Sequence, residues 1–197
     1  MKTLLIIFLT ILSASAVGNQ SFTERKYCFQ DVEYRPLCLG SREIISELRS
    51  HKTLSRLLHR IDLQEVILAT QITGIDPMLI VSVAYRESAF RKSAVSSVGA
   101  QGVMQIMPAT RDYLVERYGS NVSDYVLGAI YLKHIKDLYG FNWIETVAAY
   151  NEGPTRIRTR RRSPAFATNH QYLNRVFQTY IELTNKRDMV GPLYTNR

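Results

Sequence analysis

The chain has 197 residues, 46% of them hydrophobic and 21% charged, with 25 Lys and Arg against 17 Asp and Glu and a formal net charge of +8. That apolar content suits one globular core and speaks against a disordered polyelectrolyte. Beyond the N-terminus no stretch is long and apolar enough to span a bilayer. Lys2, the apolar run from Leu4 to Leu12 and the small residues Ala14, Ser15 and Ala16 read as a secretory signal over residues 1–16. No cysteine lies just after the cleavage site, so no lipid anchor and no permanent membrane anchor is expected, with an uncleaved signal as the alternative. An exported chain with this positive charge points to an anionic envelope polymer as its partner, and nucleic acid is not expected.

Residues 17–62 form an N-terminal arm. Residues 20–40 lack periodicity and read as irregular. Cys28 and Cys38 lie ten positions apart and, outside the cytoplasm, are expected to pair as a disulfide, with two buried thiols as the alternative. From Ser41, a candidate N-cap, Ile44, Ile45 and Leu48 share one face. Leu54, Leu57, Leu58 and Ile61 repeat the pattern, which predicts two short helices. Residues 63–187 then carry the main domain, and 188–197 a tail.

Leu63 to Thr73 predicts a helix stopped by Gly74. Asp76 as N-cap and Pro77 in the first turn start another, which runs through Met78, Leu79, Val81 and Ala84 to Glu87. From Arg91 to Gly102 the chain turns to Ser, Ala and Gly, as in a tight loop or short β-ribbon near residues 91–107. Further helices are predicted after Pro108, from Ser123 to Gly140, around Trp143 to Asn151 and from about Asn169 to Asn185. The fold class is mainly α. The four histidines show no ligand spacing, so neither metal nor cofactor is expected.

Glu87 is a carboxylate at the end of a mostly apolar helix, a setting in which desolvation raises a carboxyl pKa. An exposed ion pair with Arg86, Arg91 or Lys92 is the alternative. The context extends further: Glu87-Ser88-Ala89-Phe90, then the run Ala94 to Thr110, then Ala149-Tyr150-Asn151-Glu152-Gly153-Pro154. In this order the three segments resemble the motifs of the soluble lytic transglycosylase (SLT) family, over roughly residues 64–185. The resemblance implies a lysozyme-like α-helical fold related to goose-type lysozyme.

By that resemblance Glu87 is the catalytic acid, and then the base, in cleaving the β-1,4 bond between N-acetylmuramic acid and N-acetylglucosamine in peptidoglycan. The family's product carries a 1,6-anhydro ring, closed by the sugar's own C6 hydroxyl. Tyr150 is the expected second catalytic residue, its hydroxyl close to Glu87. Ser88, Ser97, Gly102, Met104, Gln105, Asn151, Gly153 and Tyr172 are the expected substrate-binding residues. Tyr172 also falls on an apolar stripe and suits core packing equally.

Three positions depart from the family pattern. Glu152 stands where a small residue is common, and reads either as a solvated loop charge or as an accessory carboxylate that steers a water. Tyr125 stands where Asn is frequent, and Thr168 where Glu is frequent. Five arginines between Arg156 and Arg162 form a cationic rim or a solvated loop. The alternatives are therefore a muramidase that hydrolyses the same bond and an inactive glycan-binding scaffold. The expected setting is the periplasm or the exterior, with envelope-spanning machinery as a partner for the arm.

Overall fold

The helix that ends at Glu87 is apolar on nearly every side, and such a helix must lie at the centre. The computed structural model describes residues 26–160 and 171–184 and puts it there. The signal segment, Arg161, Arg162, Thr168 and the C-terminal tail lie outside the described residues. In order, the elements are β1 (Lys26–Gln30), β2 (Pro36–Gly40), α1 (Ser41–Ser50), α2 (Leu54–Leu57), a 3-10 turn (Leu58–Arg60), α3 (Leu63–Thr73) and α4 (Pro77–Ser88). Residues 91–107 form a looped ribbon joined only by the isolated antiparallel bridges Val95–Gln101 and Gln101–Ile106, and after it come α5 (Pro108–Tyr118), α6 (Asp124–Tyr139), α7 (Trp143–Glu152), α8 (Pro154–Arg160) and α9 (Gln171–Thr184).

The mainly helical expectation holds, and most helix ends fall where local chemistry puts them. Asp76 accepts the Met78 N–H at 2.8 Å ahead of Pro77. Asp62 and Ser123 cap α3 and α6. Gly74 and Gly140 close those helices in the left-handed conformation, which glycine adopts without a Cβ clash. In α4, Met78 to Ala84 are buried without a break. The helix packs against α9 and α3, and α3 against α6.

Residues 26–40, expected to be irregular, instead form an antiparallel hairpin in which Cys28 pairs directly with Cys38. The two are joined by a disulfide. Tyr27 and Phe29 point inward while Lys26, Cys28 and Gln30 face out, so the period of two spans only five residues. Asp31 holds the hairpin's turn by accepting the backbone N–H groups of Glu33 and Arg35 and the Arg35 Nε–H, each at 2.9 Å. A second difference lies at α1. Its N-cap is Gly40, not Ser41, and the Glu43 carboxylate accepts the Gly40 N–H at 2.5 Å.

The arm is sewn to the rest. Tyr27, Ile44, Leu48 and Leu54 belong to the same hydrophobic cluster as α4 and α9. His51 Nδ1 accepts the Leu54 N–H at 3.1 Å while its Nε2 meets Glu182 of α9 at 2.9 Å. Lys136 of α6 lies over the rings of Tyr34 and Trp143, at 5.0 and 5.4 Å. Tyr180 of α9 donates to the buried Asp76 at 2.6 Å. Among the described residues no helix is long and apolar enough to cross a membrane, and no group of three His, Cys, Asp or Glu could hold a metal ion.

Closing a loop of this length removes unfolded-state entropy worth about 2.5–3 kcal/mol. Cys28→Ser/Cys38→Ser is expected to lose about that much in urea unfolding, and reductant should lower the native chain to the same value. An unchanged midpoint would show that the hairpin contributes nothing to global stability.

Candidate active site

Glu87 sits in the last turn of α4, and the chain leaves that turn by an unusual path. Ala89 and Phe90 both have positive φ, 51° and 64°, which side-chain-bearing residues rarely adopt. The bend is stabilised on both sides. Phe90 is buried and stacks on Tyr85 at 5.9 Å. The Ser88 hydroxyl donates to the Val103 carbonyl at 2.8 Å and accepts the Arg91 N–H at 3.1 Å. The Ser88 bond to Val103 thereby ties the 91–107 segment to the helix end that carries the carboxyl group.

The ribbon is pinned from below by Asp124, in the first turn of α6. Its carboxylate accepts the Val103 N–H at 2.8 Å and the Arg111 guanidinium at 2.6 Å. A Cβ on Gly102, whose φ is 76°, would lie 1.8 Å from Asp124 Oδ2, so only glycine fits. Gln105, itself at φ 47°, donates its side-chain amide to the carbonyls of Ala94 and Gly102 at 3.1 and 2.9 Å. Its amide oxygen is left without a partner among the described residues.

The hydroxyl that reaches Glu87 belongs to Tyr172 of α9, which donates to Oε1 at 2.5 Å. Tyr150 of α7 donates instead to the Met104 carbonyl at 2.7 Å and packs on Tyr131 at 5.5 Å. It still lies close enough to feel the charge of Glu87, which helps burial raise its phenol pKa. Burial also pushes the Glu87 carboxyl up from its ordinary 4.5 to about 7, against the opposing pull of the Tyr172 hydrogen bond and the Arg86 charge. The exposed-ion-pair alternative for Glu87 therefore does not describe this carboxyl.

The other expected site residues divide into two groups. Ser97 and Asn151 are exposed, Tyr172 and Gln105 partly so. Ser88, Gly102 and Met104, expected to touch substrate, are buried and build the scaffold. The Met104 side chain fills the space over Gly128, where a Cβ would lie 2.6 Å from Met104 Cε. Gly153 ends α7 at φ 89°, and its N–H bonds to the Ala149 carbonyl at 2.9 Å.

Glu152 pairs with Arg156 Nε at 3.1 Å and Arg160 Nη1 at 2.6 Å, so the carboxylate and part of the arginine run organise each other across the α7–α8 junction. Tyr125 is almost fully buried, with Asp62 beside its hydroxyl. Asp124 and Arg111 were not singled out in the sequence. Asp124 lies 21 positions from the Val103 N–H it accepts and Arg111 ten from the Gln101 carbonyl it reaches, and no local spacing marks such bonds.

A buried carboxyl with a raised pKa opposes folding once it is charged. The unfolded chain releases this proton near 4.5 and the folded chain near 7, so between those values stability falls as pH rises. The stability of Glu87→Gln relative to the native chain should therefore grow between pH 4 and pH 8, by up to about 3 kcal/mol. Paired thermal unfolding at the two pH values checks this, and a constant difference would contradict it.

Residues 64–173, more than half of the chain, match the family model described as the transglycosylase SLT domain. The soluble lytic murein transglycosylase of Salmonella typhimurium is 36% identical over 40% of this chain and 14% of its own length. Membrane-bound lytic murein transglycosylase F of Thiobacillus denitrificans is 32% identical over 63% of this chain and 27% of its own. This chain thus spans only a small part of those relatives. Two solved structures share the fold at 23% identity. One is an inactive Glu-to-Gln variant of the lytic transglycosylase Slt from Pseudomonas aeruginosa, with a TM-score of 0.57 over 68% of this chain and 26% of that one. The other is the 70 kDa soluble lytic transglycosylase from Escherichia coli, with a TM-score of 0.56 over 79% and 30%. With its three motifs in order and residues 64–173 matched, the chain belongs to the transglycosylase SLT domain family.

Proposed function

We propose that this protein is an exported peptidoglycan lytic transglycosylase in which Glu87 acts first as acid and then as base. The observation that carries the reading is the state of Glu87, a carboxyl raised to about 7 with one oxygen held by Tyr172. A group balanced near neutrality can give up a proton and take one back in the same cycle.

In the first step the protonated Glu87 donates to the glycosidic oxygen as its bond to C1 of N-acetylmuramic acid breaks. Tyr172 donates to the carboxylate this leaves, which eases ionisation at the moment it is needed. Glu87 then takes the proton of the C6 hydroxyl, whose oxygen bonds to C1 and closes the 1,6-anhydro ring. The carboxyl group ends protonated, and no water is consumed.

Glycosidases commonly use two carboxylates. Glu152, the local candidate for the second, is paired with Arg156 and Arg160, which supports the anhydro product over hydrolysis. On this reading the substrate's N-acetyl group stabilises the charge at C1. Ser97, Asn151 and the free amide oxygen of Gln105 offer polar contacts to the sugars. Tyr150 acts by positioning, since its hydroxyl fixes the Met104 carbonyl. Docking of the arm on envelope-spanning machinery belongs to the same proposal, through the hairpin's outward face, because its inward face is spent on the core.

Digestion of purified sacculi, with the released fragments weighed, should yield 1,6-anhydro ends. Glu87→Gln should lower the rate by roughly 10³-fold, and the native rate should fall above pH about 7 as the acid form is lost. Reducing ends would indicate a hydrolase, and activity surviving in Glu87→Gln would remove the assignment.

A further inference from the structure

Tyr172 is not alone in joining α9 to α4. In the first turn of α9 it donates to Glu87, in the last turn of α4, at 2.5 Å. Tyr180, about two turns further along α9, donates to Asp76, the N-cap of α4, at 2.6 Å. The two helices therefore run antiparallel, with a tyrosine hydroxyl meeting a carboxyl group towards each end of the pair. Much of what lies between is apolar: Leu173, Val176 and Phe177 of α9 are buried, as is α4 from Met78 to Ala84. Apolar burial has no direction, whereas a hydrogen bond weakens as its length and angle depart from ideal. The register of the pair therefore depends on the two hydroxyls more than on the surface between them.

The Tyr180 hydroxyl also meets the disulfide hairpin. The backbone N–H of Val32, at the hairpin's turn, hydrogen-bonds the same oxygen, and the fully buried Asp31 lies close enough to act on it. Burial, then Asp76 and Asp31, push the phenol far above its ordinary pKa of 10, so the hydroxyl keeps its proton to donate. Asp76 accepts that proton's bond on Oδ2 and the Met78 N–H on Oδ1. The hairpin turn, α9 and the start of α4 thus meet at one oxygen.

We propose that Tyr180 is a positioning residue for Glu87: bonded to the hairpin turn on one side and to Asp76 on the other, it keys α9 against α4 in the register that sets the Tyr172 hydroxyl on the Glu87 carboxyl. Tyr180 is fully buried and acts on Glu87 only through Tyr172. The arm before residue 64 bears on the site by the same route, through its turn. That Glu87 is the acid of the reaction rests on the peptidoglycan reading above. The register does not, so the test follows the proton and not the rate.

Tyr180→Phe keeps the buried ring and removes the bond to Asp76. The carboxyl-carbon titration of Glu87 in this variant should have its midpoint about half a pH unit above the native one, because the charged form loses part of its donor. The other groups that act on this charge are Arg86, beside it on α4, and Tyr150 of α7. A variant that merely loosened the site and admitted water would move the midpoint down towards 4.5, since burial is what raises it. Once Tyr172→Phe has removed the donor, adding Tyr180→Phe should produce no further rise.

Asp76→Asn serves as the second variant should Tyr180→Phe fail to fold. It keeps a capping oxygen for the Met78 N–H and takes away the acceptor of the Tyr180 proton. Removing a distant negative charge would by itself lower the midpoint, so a rise again reports the register. A midpoint unchanged or lowered in either folded variant, or an undiminished rise in the Tyr172→Phe background, would overturn the proposal.

Discussion

The role proposed for Glu87 asks its carboxyl group to hold a proton near neutrality, and that requires shelter from water. The group sits where an apolar helix ends, and burial is the largest influence on its pKa. Too much shelter would make it a poor base once the proton has left. The Tyr172 hydroxyl supplies the counterweight, because it donates to the carboxylate and pulls the pKa back down. The balance of these two effects decides whether one residue can serve as both acid and base.

That balance depends on parts distant in sequence. Tyr172 comes from α9, which is held by Tyr180 on Asp76 and by His51 on Glu182. The ribbon that covers the other side of the helix end is held by Ser88, Asp124 and the Gln105 amide. Ser88, Gly102 and Met104 are buried, whereas Ser97 and Asn151, the proposed sugar contacts, are exposed. Rigid support beneath and polar groups on the rim is the arrangement that positioning requires. The arm before residue 64 takes part as well, since its hairpin and α1 complete the core on which α9 rests.

Local chemistry made most of the helical frame legible. Asp76 with Pro77, Gly74, Ser123 and Gly140 mark ends that depend on neighbours within a few residues, and the structure uses each as expected. The hairpin escaped notice because its alternation lasts only five residues and its outward positions include the cysteines. The site was legible in part. Motif order pointed to Glu87, but the identity of the hydroxyl on it is a contact across 85 positions, and Tyr172 could not be separated from core packing. Glu152 looked ambiguous until its partners on α8 were seen. Ser88, Gly102 and Met104 belong to the same motif as the rim residues, and sequence order alone does not show which of them turn inward.

The central claim concerns one proton, and its titration can be followed directly. Carbon-13 labelling of glutamate, with Glu87 assigned by comparison with Glu87→Gln, gives the midpoint of its carboxyl carbon shift in the folded protein. The account expects a midpoint at about 7, moving higher in Tyr172→Phe because the hydrogen bond that favours the charged form is lost. A midpoint near the ordinary 4.5, unchanged by Tyr172→Phe, would mean that Glu87 is already a carboxylate at neutral pH and cannot be the acid.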